Sequence, residues 1–162
     1  MEKFMRYLMV LLFLSLYILF SGLGEAGANC TNITDSDQRL FCYAKQGQKT
    51  ACTSISDNDL KQRCYAETGQ SSNACTNITD SDQRLFCYAK QGQKTACTSI
   101  SDNDLKQMCY AETGQSSNAC TNITDNDQRL FCYAKQGQKT ACTSISDNDL
   151  KQRCYAETGQ SS

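Results

Sequence analysis

The sequence contains no histidine, no proline and no tryptophan in 162 residues. Without histidine, the Cys–His and Ser–His pairs that activate many enzymatic nucleophiles cannot form. A glycine-rich phosphate-binding loop is also missing, and the carboxylates stand where helix capping would use them. We therefore expect a protein that is not an enzyme and that needs no cofactor.

An excess of charge of one sign is missing as well. The chain has 16 Lys and Arg against 17 Asp and Glu, a formal net charge of −1. Proteins that bind nucleic acid carry a basic patch or stripe. We therefore expect no nucleic-acid partner.

The one long apolar run lies at the N-terminus. Lys3 and Arg6 precede the apolar stretch 7–20, and Ala26-Gly27-Ala28 supplies small residues for cleavage. The stretch is short against the roughly 20 apolar residues of a membrane span. Residues 1–28 are therefore predicted to be a secretory signal peptide, which makes the protein secreted and extracellular, without a stable membrane anchor after cleavage.

Cysteine is abundant. All 12 cysteines follow residue 29, and an even number in a secreted chain predicts disulfides in an oxidising compartment. Zinc sites favour closely spaced cysteines and histidine partners, which do not occur, so no metal site is predicted. The predicted disulfide cysteines are Cys30, Cys42, Cys52, Cys64, Cys75, Cys87, Cys97, Cys109, Cys120, Cys132, Cys142 and Cys154.

The sequence repeats at two levels. Cys30, Cys75 and Cys120 open near-identical blocks 45 residues apart, which we bound at 29–74, 75–119 and 120–162. Within a block, the unit from Cys30 (the A unit) aligns with the unit from Cys52 (the B unit). The shared pattern is C-T-x-I-[ST]-D-x-D, then four residues and C-Y-A. The mature chain is thus six units of 22 or 23 residues, in the order ABABAB.

Each unit has the signals of one short helix. In the first A unit, Thr34 or Asp35 offers a capping oxygen, acidic Asp37 follows in the first turn, and Gly47 ends the helix. Ile33, just before the cap, is placed to pack over the first turn. The B unit repeats this arrangement, with Ser56 or Asp57 as the cap and Gly69 as the stop.

The Asp35-Ser36-Asp37 segment also resembles the start of a calcium-binding loop. Such a loop needs further oxygen ligands, a glycine and a bidentate glutamate at fixed spacing. None of these follows here. Helix capping is therefore the preferred interpretation of the repeated D-x-D.

A single unit has too few large apolar residues to fold alone. The A unit offers Ile33, Leu40 and Phe41, and the B unit only Ile55 and Leu60 as large aliphatics. Neighbouring units must share a core, as the repeats of a solenoid do. The predicted fold class is all-α: a disulfide-stapled α-helical solenoid of six short helix repeats.

Two disulfide patterns respect the repeat, and the sequence leaves both open. Either each unit is closed on itself, as in Cys30–Cys42, or each helix cysteine bonds the next lead-in cysteine, as in Cys42–Cys52. Antiparallel helical hairpins would favour the second pattern. That pattern leaves Cys30 and Cys154 free for an interchain disulfide, which would extend the solenoid head to tail into a fibre. The alternative is a monomer.

Three surface features complete the sequence predictions. N-glycosylation sequons occur at Asn29, Asn32, Asn77 and Asn122. The tyrosine of each C-Y-A is predicted to be a half-buried spacer rather than a ligand-binding ladder. The single change from Arg to Met108 indicates a tolerant, solvent-facing position.

These features favour a secreted structural or interaction scaffold. Its partner would be itself, in a head-to-tail homo-oligomer that forms a fibre or layer, or a repetitive extracellular ligand. The alternatives are a soluble multivalent binding protein of adhesin or lectin type, and a secreted defence, toxin or inhibitor protein. Repetition raises avidity without new contacts, which makes the multivalent alternative physically reasonable.

Overall fold

The computed structural model describes residues 30–160. The predicted signal peptide and the sequon at Asn29 therefore lie outside the described residues. Within residues 30–160, six α-helices follow each other, one for each unit: α1 (Ser36–Lys45), α2 (Asn58–Glu67), α3 (Ser81–Lys90), α4 (Asn103–Glu112), α5 (Asn126–Lys135) and α6 (Asn148–Thr158). The part of the chain from 30 to 160 contains no strand, so the all-α prediction is confirmed.

An aspartate caps each helix. The carboxylate of Asp35 accepts a hydrogen bond from the backbone N–H of Gln38 at 2.8 Å, and Asp57 does the same for Leu60 at 2.7 Å. Of the two candidate caps in each unit, the aspartate is therefore the one used. At the other end of α1, Gly47 has φ +102°, a conformation open to glycine but rarely to other residues.

A short 3-10 segment carries the first cysteine of each unit. These segments are Cys30–Asn32, Lys49–Ser54, Ala74–Asn77, Lys94–Ser99, Ala119–Asn122 and Lys139–Ser144. The isoleucine that follows each segment is almost fully buried, as at Ile33 and Ile55, each 1% exposed. Ile33 and Ile55 lie in the core beside the disulfide of their own unit, and the predicted packing over the first helical turn stays a prediction.

All six disulfides lie within single units, with Cα atoms 5.6–5.7 Å apart. The alternative pattern, in which each helix cysteine bonds the next lead-in cysteine, is wrong. The predicted interchain disulfide is wrong too, because Cys30 bonds Cys42 and Cys154 bonds Cys142. The pairs are Cys30–Cys42, Cys52–Cys64, Cys75–Cys87, Cys97–Cys109, Cys120–Cys132 and Cys142–Cys154.

The physical reason is that neighbouring helices are parallel and do not form antiparallel hairpins. Asp37, in the first turn of α1, accepts hydrogen bonds from the backbone N–H groups of Ser56 at 3.0 Å and Asp57 at 2.8 Å, just before α2 begins. At the opposite ends, Lys45 and Glu67 form an ion pair of 2.7 Å. Each 3-10 segment therefore returns the chain to the face where the previous helix started.

The helix array closes into a ring. Asp149 of α6 accepts hydrogen bonds from the backbone N–H groups of Thr34 at 2.8 Å and Asp35 at 2.9 Å. Asp59 makes the same contacts with the following A unit, at Thr79 and Asp80. The last unit thus contacts the first as any B unit contacts the next A unit. The solenoid prediction is confirmed for the repeat packing, and the closed ring adds a pseudo-threefold axis to it.

The hydrophobic core lies in the wall of the ring. Phe41 and Ala44 of α1 are 1% and 2% exposed and pack with Ile55 of the next unit. The tyrosines of the C-Y-A segments pack partly buried against these clusters. The prediction of half-buried tyrosine spacers is therefore confirmed.

The helices are short for a membrane. Among residues 30–160, none combines the length and the apolar character that a membrane crossing requires.

Candidate functional site

One face of every helix points into the ring. In α1 this face carries Gln38, Phe41 and Lys45, which the i, i+3, i+7 spacing aligns on one side. The equivalent B-unit positions are Leu60, Arg63 and Glu67. We call the space that these residues surround the lumen. The lumen has three layers. The N-terminal layer consists of glutamines and leucines: Gln38, Gln83, Gln128, Leu60, Leu105 and Leu150. The middle layer consists of Phe41, Phe86, Phe131, Arg63, Met108 and Arg153, and the C-terminal layer of Lys45, Lys90, Lys135, Glu67, Glu112 and Glu157.

The C-terminal layer is a ring of alternating lysines and glutamates. Glu67 lies between two lysines, with Lys45 Nζ at 2.7 Å and Lys90 Nζ at 3.5 Å from Oε2. Lys90 also contacts Glu112 at 2.6 Å, and Lys135 pairs with Glu157. These ion pairs join the C-terminal ends of helices α1 to α4 in one series and those of α5 and α6 in a second.

Glu67 and Glu157 are strongly stabilised in the charged form. Burial alone would raise the pKa of Glu67, but the charges of Arg63, Lys90 and Lys45 outweigh it and hold that pKa far below its usual range. For Glu157, burial is likewise outweighed by Arg153 and Lys135, which lower its pKa to about 2. Glu67 and Glu157 therefore stay ionised throughout the physiological pH range.

The middle layer combines aromatic rings with guanidinium groups. Arg63 lies 5.2 Å from the ring centre of Phe41 and 5.9 Å from that of Phe86. Arg153 lies 4.7 Å from the ring centre of Phe131. These distances are within the range of cation–π attraction. Each arginine also forms an ion pair with the glutamate four residues later. Arg63 Nε donates a hydrogen bond to Glu67 at 2.8 Å, whereas Arg153 Nε lies 3.2 Å from Glu157 without a hydrogen bond.

Met108 occupies the third arginine position and is only 7% exposed. The prediction that this position faces solvent is wrong. The two arginines already place two positive charges in the middle layer, so a third would add repulsion between like charges. Methionine, unbranched and apolar, fills such an irregular gap without a charge.

A cavity of about 280 Å³ lies within the lumen. Its walls come from five of the six helices and combine apolar side chains with two guanidinium groups. The apolar part consists of Phe86, Leu105, Met108 and Phe131, and the cationic part of Arg63 and Arg153.

The face formed by the helix N-termini is lined with aspartate pairs. The first aspartate of each pair caps its own helix, and the second binds the next unit. Hydrogen bonds from the backbone N–H groups of Ser56 and Asp57 lower the pKa of Asp37. Among residues 30–160, no group of three or more cysteine, aspartate or glutamate side chains is arranged to hold a metal ion. The capping interpretation is confirmed for Asp35, whereas Asp37 links units, a role the sequence analysis did not assign.

The sequons at Asn32, Asn77 and Asn122 occupy equivalent, exposed positions in the three blocks. The Nδ2 of Asn77 is 3.4 Å from Gln62 Oε1, and the same contact joins Asn122 to Gln107. Glycosylation stays a prediction. If it occurs, the sugars would be arranged around the pseudo-threefold axis.

Three loops project beside the helix C-termini. Residues 46–50, 91–95 and 136–140, which we call the rim loops, share the sequence QGQKT and are exposed throughout. Each presents one lysine: Lys49, Lys94 or Lys139. The ring therefore displays an exposed lysine side chain at three equivalent positions.

Comparison with protein-family models, with curated proteins and with solved structures found no match. The function must therefore be argued from the geometry. The chain is a cysteine-rich, disulfide-stapled helical repeat protein, and such a disulfide density is typical of extracellular proteins.

The lumen was not predicted from the sequence. A signal for it was present, because the alignment of the two units places Lys45 against Glu67 and Phe41 against Arg63. Opposite charges at equivalent positions of alternating units indicate that those positions face each other. Only the ring, however, brings three copies of each together.

Proposed function

We propose that this protein is an extracellular trivalent binding module, which uses its three rim loops to hold a repetitive anionic partner. The observation that carries this proposal is the threefold recurrence of one exposed, identical loop on a closed ring. A partner with a matching repeat gains avidity from each further loop that it engages.

The rim loops are held in place by hydrogen bonds. In the first loop, the backbone N–H of Gln48 donates to Tyr43 O at 3.1 Å, and Gln70 Nε2 donates to Lys49 O at 3.0 Å. Thr53 Oγ1 donates to Thr50 O at 2.8 Å just beyond it. A loop that is ordered before binding loses less conformational entropy on binding, which supports a recognition role.

The lysines give the partner its chemistry. Lys49, Lys94 and Lys139 are exposed, and none of them forms an ion pair with an acidic residue in the range 30–160. The lumen lysines, by contrast, are all engaged with glutamates. An acidic polysaccharide is the extracellular polymer that fits three unpaired lysines best, because its carboxylate or sulfate groups recur along the chain.

The ring favours a soluble binder over a fibre. The first and last units pack against each other, as the hydrogen bond between Thr34 and Asp149 shows. Cys30 and Cys154 each form a disulfide within their own unit. A head-to-tail fibre would need an open edge at each end. We therefore propose the multivalent binding protein over the structural polymer.

The test is binding of the secreted protein to long and short fragments of acidic polysaccharides on a surface. The triple variant Lys49→Gln, Lys94→Gln, Lys139→Gln should lose binding, and the single variants should weaken it stepwise. The matched control is Lys61→Gln, Lys106→Gln, Lys151→Gln, which removes the same charge near the opposite face and should bind normally. If both triple variants lost binding equally, binding would depend on net charge and not on the rim loops. If the parent protein bound no acidic polymer, the proposal would be excluded.

A further inference from the structure

The lumen cavity has the composition of a small-molecule site. It measures about 280 Å³, close to the lower end of ligand pockets, which begin at roughly 300 Å³. Apolar walls with a few fixed polar groups are the usual composition of such pockets. Here Phe86, Leu105, Met108 and Phe131 supply apolar surface.

The polar groups include two arginines with unused donors. Arg63 and Arg153 have 20% of their side-chain surface exposed although they lie inside the ring. The Nε of each faces its own glutamate. The terminal nitrogens of Arg63 have no hydrogen-bond acceptor among residues 30–160, and Arg153 Nη1 has only a 3.5 Å contact with Gln38 Oε1. Since both side chains line the cavity, these donors are available to a ligand there.

Three acidic residues also line the cavity, and each already has a partner. Asp102 accepts a hydrogen bond from the backbone N–H of Leu105 at 2.7 Å. Asp104 accepts from the backbone N–H and the hydroxyl of Thr124 at 2.8 and 2.7 Å. Glu112 pairs with Lys90 at 2.6 Å. Glu112 is therefore paired with a cation, whereas Asp102 and Asp104 are held by neutral donors and keep their charge.

The charge of the three layers differs from that of the cavity wall. The layers hold five lysines and arginines against three glutamates. The cavity wall contains Arg63 and Arg153 together with Asp102, Asp104 and Glu112. A ligand anion would therefore be held by the free guanidinium donors and not by an excess of positive charge.

The substitution at 108 makes this site asymmetric. If position 108 were also arginine, a bound anion would be surrounded by three charged groups and would have no apolar wall beside it. With Met108, one side of the cavity becomes apolar while the guanidinium groups of Arg63 and Arg153 remain. The site thus offers a cationic side and an apolar side.

We infer that the lumen binds a compact apolar carboxylate, whose carboxylate group pairs with Arg63 and Arg153 and whose hydrocarbon body packs on Met108, Leu105 and the phenylalanine rings. Planar guanidinium groups match the geometry of a carboxylate, often by two parallel hydrogen bonds. This inference is independent of the rim loops, and either proposal can fail without the other.

The probe is 3-phenylpropionate, titrated into the intact, oxidised protein by calorimetry. Neutral 3-phenylpropanamide and inorganic phosphate serve as comparison ligands. We expect one saturable site per chain for the carboxylate and binding at least about tenfold weaker for the amide, because charged hydrogen bonds are lost. Phosphate should bind weakly, since it leaves the apolar wall uncovered.

Variants assign the site to its residues. Arg63→Met and Arg153→Met should each weaken carboxylate binding about tenfold, and the double variant should abolish it. Methionine is suitable here because the chain already carries it at the equivalent position 108. In these variants Glu67 and Glu157 still form ion pairs with lysines. Lys106→Met, which also replaces a cation by methionine but does not line the cavity, is the matched control and should bind within about threefold of the parent protein.

Several outcomes would overturn the inference: no saturable binding of the carboxylate, equal affinity for the amide, or phosphate as the preferred ligand. Unchanged binding in the double variant would place the ligand outside the lumen and overturn it as well. Circular dichroism verifies the fold of each variant. If the arginine variants do not fold, the comparison of carboxylate with amide on the parent protein still decides.

Discussion

The carboxylate of Asp149 accepts a hydrogen bond from the backbone N–H of Thr34 at 2.8 Å, although the two residues are 115 positions apart in the chain. The same bond joins Asp59 to Thr79 and Asp104 to Thr124 over 20 positions. The first and last units are therefore packed as neighbours. An open solenoid usually needs specialised end repeats, and closure gives every unit two neighbours without them.

The disulfide pattern can be verified by peptide mapping under non-reducing conditions. Cleavage after Arg39, Lys45, Lys49, Lys61 and Glu67 separates every cysteine of the first block. Pairing within units predicts that peptide 40–45 is linked to the peptide that contains Cys30, and that peptide 50–61 is linked to the one that contains Cys64. A link between 40–45 and 50–61 would contradict the parallel helix arrangement.

Acid should destabilise the ring. A carboxylate with a pKa lowered by folding contributes stability above its unfolded pKa and loses that contribution as the pH falls towards its folded pKa. For Glu157 the window runs from 4.5 down to about 2, which corresponds to roughly 3 kcal/mol. Asp59 and Asp149, also with lowered pKa values, add to the loss below about pH 4.

Thermal unfolding followed by circular dichroism between pH 7 and pH 2 measures this effect. We expect a nearly constant Tm from pH 7 to 5 and a steep fall below pH 4.5. Glu157→Gln should flatten the fall, because the residue that takes up the proton is gone. A Tm that does not change down to pH 2 would show that these carboxylates do not stabilise the ring.

The substitution at 108 makes two equivalent glutamates unequal. Glu67 faces Lys45, Lys90 and Arg63, whereas Glu112 pairs with Lys90 and has Met108 where the arginine would stand. Glu67→Ala should therefore destabilise the protein more than Glu112→Ala does, with a loss of about 3 kcal/mol, since it removes the carboxylate partner of both Arg63 and Lys45. Glu112→Ala is the matched comparison, and urea unfolding measures both. Equal losses would indicate that Arg63 does not contribute to this cluster.

Much of the fold could be predicted from the sequence because its signals are local. The aspartate cap at Asp35, the glycine stop at Gly47 and the cysteine spacing all act within one unit. The all-α repeat architecture followed from them. The choice between the two disulfide patterns did not, because it depends on helix direction, and both parallel and antiparallel packing agree with the spacing of Cys30, Cys42 and Cys52.

The alignment of the two units could have predicted which residues face each other, but the lumen itself could not be predicted, because it depends on closure of the ring. Whether six units make an open solenoid or a ring is set by small rotations between neighbours, which leave no mark on any single unit. Met108 shows the consequence. In isolation, a change from arginine to methionine indicates an exposed position, whereas in the ring the same position faces the axis and Met108 is buried.

The seam between the last and first units tests ring closure most directly. In the ring, Asp149→Ala removes the same hydrogen bonds as Asp104→Ala, so both variants should lose about 1 kcal/mol of stability, as is typical for a lost capping side chain. Urea unfolding of the two variants beside the parent protein provides the comparison. Equal losses are the result that the ring predicts. A loss in Asp104→Ala with none in Asp149→Ala would mean that Asp149 has no partner and that the helix array is open.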